Sequence, residues 1–283
     1  MQNETVSIMK NYAKWLILRL SILLVCLLTI FPFYWMIVTA LQSTRDLFVW
    51  PPKIIPNIGE IGVFGELFAS YPMGRWLKNS LIIGITTSFV SVFLSILCAY
   101  GLSRFRFRGD VLFSLLLVFT QMMPTVLIII PLFILLKQVS LLNTLFGLVL
   151  ANTAFTAPIT IWILKGYFDT IPIEIEEAGL TDGCSRLGVL YRIILPLAKP
   201  AIGTSLVIVF FNAWNEFAFA VTFISDQELW VATVGLTGMI GEYVTPIELM
   251  MSGAAVFTIP ALVFFLALQK YLVGGLAAGA VKT

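Results

Sequence analysis

Two places in this 283-residue chain gather side chains that could do chemistry. The first is Asn212, Trp214, Asn215 and Glu216, within "FFNAWNEFAFA" (210–220). Asn212 and Glu216 are four apart, so they share a face if the segment is helical. Amide, carboxylate and indole together could meet a sugar, through hydrogen bonds to hydroxyls and ring stacking. The neighbourhood is strongly apolar, and a charge at mid-bilayer costs about 2.5–3.5 kcal/mol. Glu216 must then face water, be paired or carry a proton. The competing reading, to which we give more weight, is that Asn212 and Glu216 tie their helix to a neighbour. The second place is "EEAGLTDGCSRLGVLYRIILP" (176–196), acidic first, with an Asp-Gly turn and then basic residues.

Neither place holds a nucleophile with a base, and no catalytic residue is expected. The chain has no histidine, which weakens any zinc, haem or imidazole-base chemistry. No metal site is expected. Cys26, Cys98 and Cys184 make no disulfide framework. There is no G-x-x-x-x-G-K-[ST] phosphate loop, so the chain is not expected to hydrolyse ATP or to hold a cofactor of its own. A net charge of +2 is too small to argue for nucleic acid.

The elements that must position these residues are read from composition. The chain is 59% hydrophobic and 11% charged, where soluble domains carry roughly 25% charge. Its mean hydropathy is +0.99. The solvent is therefore lipid. Six stretches are apolar enough to cross roughly 30 Å of hydrocarbon as helices: 15–41, 81–102, 111–136, 145–164, 201–224 and 249–268. Prolines 32, 124, 131, 158 and 260 predict kinks. "MQNETVSIMKNYAKW" precedes a run too long for a signal peptide, and we read it as leading into a retained span. With the N-terminus in the cytoplasm, twelve Lys and Arg fall inside and five outside. Both termini and the 176–196 stretch are then cytoplasmic. Arg104, Arg106 and Arg108 read as a topology anchor at the headgroups. Gln121, Asn152, Thr153 and Thr156 either bridge helices or line a path, the first being favoured. The first outer loop, 42–80, holds "WPPKIIPNIGE", read as an ordered extended segment. No internal repeat is visible, and residues 1–283 read as a single transmembrane domain.

Residues 172–196 predict two short helices around a corner. Pro172 suits a first helical turn, and Glu174, Glu176 and Glu177 sit near the positive end of that helix. Gly183 is free to take positive φ, and Ser185 can cap a second helix from Arg186 to about Leu195. Ala178 and Gly179 make the first helix smooth enough to seat in a groove of another protein. An ordinary capped loop fits the same spacing.

The stretch resembles the EAA motif of ATP-binding-cassette importer permeases, on Glu177, Ala178 and Gly179, then Gly183, then Ile193, Leu195 and Pro196. "AYGLSRFRFRG", "MMPTVLIIIPLF", "LLNTLFGLVL", "GYFDTIP", "AWNEFAFA" and "QKYLVGGLAAGAVKT" are similar to successive segments of carbohydrate-type permeases, the last to the tail of the G-type subunit of maltose-class importers. Gly179 and Cys184 stand where alanine is usual. The resemblance implies an all-α, six-span MetI-like type I importer permease. It implies that Glu176, Glu177, Ala178, Gly179, Asp182, Gly183 and Arg186 form a coupling helix seated in a cytoplasmic ATPase. The implied partners are a second homologous permease, two ATPase subunits that use ATP and Mg, an extracytoplasmic solute-binding protein and the lipid bilayer. The tail "GGLAAGAVKT" would be flexible and reach the ATPase interface, and 226–246 would contact the binding protein. Asn212, Trp214, Asn215 and Glu216 would be translocation-path candidates, although sugar contacts in such relatives lie mainly in the other permease. The implied cargo is a carbohydrate, an oligosaccharide first, with a non-sugar or sugar-phosphate solute such as glycerol phosphate second. An ion-coupled secondary transporter would need more intramembrane acids or a repeat.

Overall fold

The computed structural model describes residues 2–241 and 243–280, with side chains for 14–241 and 243–271. Lys10, Glu242, Lys282 and the side chains of the Gly-rich tail lie outside the described side chains. Among the described residues all regular structure is helical. The chain divides into two compact units, residues 1–71 with 239–256, and residues 72–238 with 257–283.

The first unit contains α1 (Gln2–Ala40), α2 (Val63–Ser70) and the first turns of α13 (Ile247–Ala280). An 18-residue stretch within Lys14–Ala40 has a mean hydropathy of 2.5, and the side chains from Trp15 to Phe33 are exposed along the whole run. The loop after α1 is not uniformly extended as expected. It makes single 3-10 turns at Asp46–Phe48 and Ile58–Glu60 before α2. Its polar groups hold it in place: Gln42 Nε2 donates to the Lys53 carbonyl (2.7 Å) and Tyr34 Oη to that of Ile54 (2.6 Å). Lys53 pairs with Asp46 at 2.7 Å, and that hydrogen bond holds the Asp46 carboxyl below the usual range. Thr44 Oγ1 donates to Glu248 Oε1 (2.8 Å) at the start of α13.

The second unit is built on α3 (Met73–Arg104) and α6 (Leu145–Phe168). Their shared seam carries small hydroxyl residues, because bilayer helices have little hydrophobic drive to associate and pack through close approach and hydrogen bonds. Ser91 accepts from Thr156 Oγ1 (3.1 Å), and Ser95 Oγ donates to the Ala157 carbonyl (3.3 Å). Asn152 instead bonds back to Leu148 of its own helix, and Thr153 is buried in α6. α10 (Lys199–Trp214) packs on this pair. At Gly84 a β-carbon would lie 2.9 Å from the Phe210 ring, so α3 and α10 touch almost backbone to ring there.

Two predicted spans are broken. Residues 111–136 form α4 (Asp110–Met122) and α5 (Thr125–Gln138), bent by 107° at Met123-Pro124. Pro124 lacks the N–H that would continue α4, and its ring disfavours a helical Met123, which is extended at ψ 130°. Gln121 Nε2 reaches the Phe155 carbonyl (3.3 Å), a bridge to α6. Residues 201–224 likewise split, α10 stopping at Trp214 and α11 running Ala218–Phe223. Pro32, Pro131, Pro158 and Pro260 lie inside continuous helices. α3 starts eight residues before its predicted span, and α13 runs through the Gly-rich stretch to Ala280. The remaining elements, α7 (Ile173–Thr181), α8 (Arg186–Val189), a π turn (Leu190–Ile194), α9 (Leu195–Leu197) and α12 (Ala232–Thr237), surround the candidate sites.

Candidate functional site

The 172–197 module forms from local signals. Pro172, at φ −57° and ψ 135°, opens α7, and Glu174 and Glu176 occupy its first turn, where free N–H groups favour negative charge. The helix closes in a Schellman motif: Cys184 N donates to the Gly179 carbonyl and Gly183 N to that of Leu180, both at 3.0 Å. Gly183 takes φ +86° there. Ser185 Oγ then accepts from Gly188 N (3.1 Å) and starts α8. A π turn separates α8 from α9, a feature nothing in the sequence announced.

The expected coupling residues divide between two surfaces. Glu177, Ala178, Asp182, Gly183 and Arg186 are exposed, together with the apolar Ile173, Ile175 and Leu187. Arg186 lies 5.1 Å from the centre of the Phe105 ring. Glu176 and Gly179 face inward instead. A β-carbon on Gly179 would sit 2.5 Å from Ile193 Cδ1 and 3.3 Å from Val189 Cγ2. Its smallness serves packing inside the module, which corrects the expectation that it smooths a face for a partner.

Glu176 is 5% exposed. One carboxylate oxygen is paired with the Arg104 guanidinium, and the other accepts from Tyr100 Oη at 3.1 Å. Arg104 Nη2 donates to the carbonyls of Phe168 (2.9 Å) and Ile171 (3.1 Å), at and just beyond the end of α6. Its Nη1 donates to Ser103 Oγ (2.8 Å), which donates to Asp169 Oδ1 (2.5 Å), and Lys165 pairs with Asp169 Oδ2 (2.7 Å). A desolvated ion pair persists when its remaining donors and acceptors are satisfied; here four of the five guanidinium N–H groups and both carboxylate oxygens have partners.

The second candidate site does not assemble as expected. Trp214 is buried, stacked 4.7 Å from Phe257 and 5.4 Å from Phe210 between ring centres. It offers no face to a solute. Asn212 Nδ2 and Asn215 Nδ2 bond back to the carbonyls of Ile208 (2.8 Å) and Phe211 (2.9 Å) in their own helix. Glu216 accepts from Phe219 N (2.6 Å) and Ala220 N (3.0 Å), capping α11 after the break. Among the described residues, Trp214 is therefore held in the core, and the side chains of Asn212, Asn215 and Glu216 bond within residues 208–220. The Glu216 carbonyl accepts from Thr233 Oγ1 of α12 (2.8 Å). The start of the 226–246 segment is tied to α3: Arg75 pairs with Glu228 (2.7 Å), and Asn79 Nδ2 donates to the carbonyls of Glu228 (3.0 Å) and Trp230 (2.9 Å).

Residues 91–277, which include the whole module and both broken-span junctions, match the family described as the binding-protein-dependent transport system inner membrane component. The chain belongs to this family. It is thus an inner-membrane permease component of an ATP-binding-cassette importer. The trehalose/maltose transport system permease protein MalG of Thermococcus litoralis is 33% identical over 274 residues, covering 95% of this chain and 97% of that one. The sulfoquinovosyl glycerol transport system permease protein SmoH of Agrobacterium fabrum is 30% identical over 253 residues, 89% of each chain. The fold matches a chain in the crystal structure of a bacterial ABC transporter involved in import of the acidic polysaccharide alginate. The TM-score is 0.75 at 21% identity, over 91% of this chain and 95% of that one.

In this permease, Arg104 and Tyr100 are the site residues that sequence reasoning missed. Its spacing groups Arg104 with Arg106 and Arg108, yet α3 ends at Arg104 and the other two are exposed beyond it. A signal was available: Tyr100 and Arg104 lie one turn apart on one face, immediately before a break. Their shared partner, 72 residues further on, could not be read from the sequence.

Proposed function

We propose that this permease carries a carbohydrate, an oligosaccharide first, across the inner membrane. The module around α7 couples its spans to ATP hydrolysis in partner subunits. The carrying observation is the two-sided α7. Glu176 and Gly179 are locked into the chain, while Glu177, Ala178, Asp182, Gly183 and Arg186 stay exposed beside Ile173, Ile175 and Leu187. A short, capped helix with an acidic and apolar outer face suits a cleft on an ATPase. The excess of Lys and Arg on the same side supports a cytoplasmic position for that face. The working complex would hold this chain, a second permease, two ATPase subunits and an extracytoplasmic binding protein, with ATP and Mg used by the ATPases. The cargo class follows from what MalG and SmoH are named for. The second reading stays a sugar phosphate or glycerol phosphate; SmoH, named for sulfoquinovosyl glycerol transport, supports a glycerol-bearing sugar derivative within it. Asn212 and Asn215 remain exposed and are the residues of the "NAWNE" segment most open to a solute.

Reconstitution of the complex in liposomes tests the coupling role. Deleting 176–183 should abolish co-purification of the ATPase while the permease still inserts. Uptake should stop without ATP and persist when ion gradients are collapsed. A deleted permease that still assembles and transports overturns the reading. Identifying what the cognate binding protein holds decides the cargo.

A further inference from the structure

We infer that the buried Arg104–Glu176 pair fastens α7 to the ends of α3 and α6, so that the three move as one body when the ATPase closes. This rests on the reading of α7 as the coupling helix.

The outer face of α7 can receive a displacement, but transmission depends on what its inner face grips. One side chain, Arg104, meets three elements: it sits at the last residue of α3, pairs with Glu176 of α7, and donates to the carbonyls of Phe168 and Ile171 at the close of α6. Tyr100, one turn earlier on α3, holds the second carboxylate oxygen. Ser103 and Asp169 tie α3 to the same end of α6. Behind this polar knot lies a continuous apolar cluster that includes Ala99, Leu164, Phe168, Val189, Leu190 and Ile194.

Swinging α7 about Pro172 would pull a desolvated carboxylate off a desolvated guanidinium and strand both, which is far costlier than breaking an exposed pair. Shifting α3, α6 and α7 together breaks none of these bonds. Packed elements of this kind change arrangement as units rather than by gradual deformation. Arg104 is therefore a positioning residue, and so is Glu176, although the latter lies within the motif.

Spin labels in the reconstituted complex test this. Cys26, Cys98 and Cys184 are replaced by serine, and labels are placed at Glu174→Cys on α7 and Leu97→Cys on α3, both exposed. The 174–97 distance should be the same without nucleotide and with ATP trapped. With Glu176→Gln it should broaden and shift on ATP binding, and solute moved per ATP should fall roughly ten-fold while the ATPase stays bound. A nucleotide-dependent distance in the unaltered pair overturns the proposal. So does a Glu176→Gln complex with distance and transport ratio unchanged. If Glu176→Gln fails to assemble, Tyr100→Phe keeps the volume and removes one hydrogen bond. It should lower the ratio about two-fold, and no change in either readout overturns the proposal. The coupling role itself fails separately, by a Glu177→Lys/Asp182→Lys permease that retains its ATPase as well as the unaltered chain does.

Discussion

Neighbouring residues of the motif do opposite jobs. Glu177 is exposed and Glu176 is not, so their substitutions should differ in kind. Glu177→Ala should leave the thermal stability of the isolated permease within about 0.5 kcal/mol and weaken ATPase binding, measured by co-purification at increasing salt. Gly179→Ala sets a gain in helix propensity of roughly 0.5–1 kcal/mol against the displacement of the tip of Ile193. The net change in unfolding free energy should be less than about 1 kcal/mol. Trp214→Ala should destabilise on the order of 3 kcal/mol through the empty space left between Phe210 and Phe257, with no change in cargo selectivity in a competition assay. These contrasts were not legible beforehand. A one-dimensional pattern shows that Glu176, Trp214 and Glu216 are chemically capable, but whether each faces a partner, a core or a free N–H depends on neighbours far away in the chain.

Punctuation residues made the module around α7 legible as an element pair. Pro172, Asp182-Gly183 and Ser185 each act within a few residues, and each sits where its local chemistry demands. Gly183→Val should cost more than about 1 kcal/mol, because a β-branched residue at φ +86° is strained, and a lowered unfolding temperature of the purified permease would register it. Gly84→Leu should push α3 from Phe210 of α10 and cost about 1–3 kcal/mol, visible in the same measurement. The breaks at Met123-Pro124 and at 215–217 escaped the span reading because both lie inside apolar runs. Hydropathy sums over a window and records no direction, so a 107° turn leaves it unchanged. Pro124 predicted a kink, though not one large enough to end the helix. The π turn had no sequence signal, since it shifts a hydrogen-bond register rather than a residue type.

Across the whole molecule, the all-helical architecture followed from the absence of water around the backbone together with apolar runs of roughly 20 residues, about twice what a barrel strand needs. Sidedness is testable at this scale. In intact cells an impermeant maleimide should leave Asp182→Cys unlabelled and modify Glu60→Cys, with both labelled after lysis. The division of α7 into an inward and an outward face reaches beyond this one protein's cycle. Since Glu177, Ala178 and Asp182 expose their side chains, while those of Arg104, Tyr100 and Glu176 are interior, the outward set is free to be exchanged for that of another permease that keeps the glycine at the turn. A chimaera carrying such a borrowed face should recruit a foreign motor and still drive its native spans.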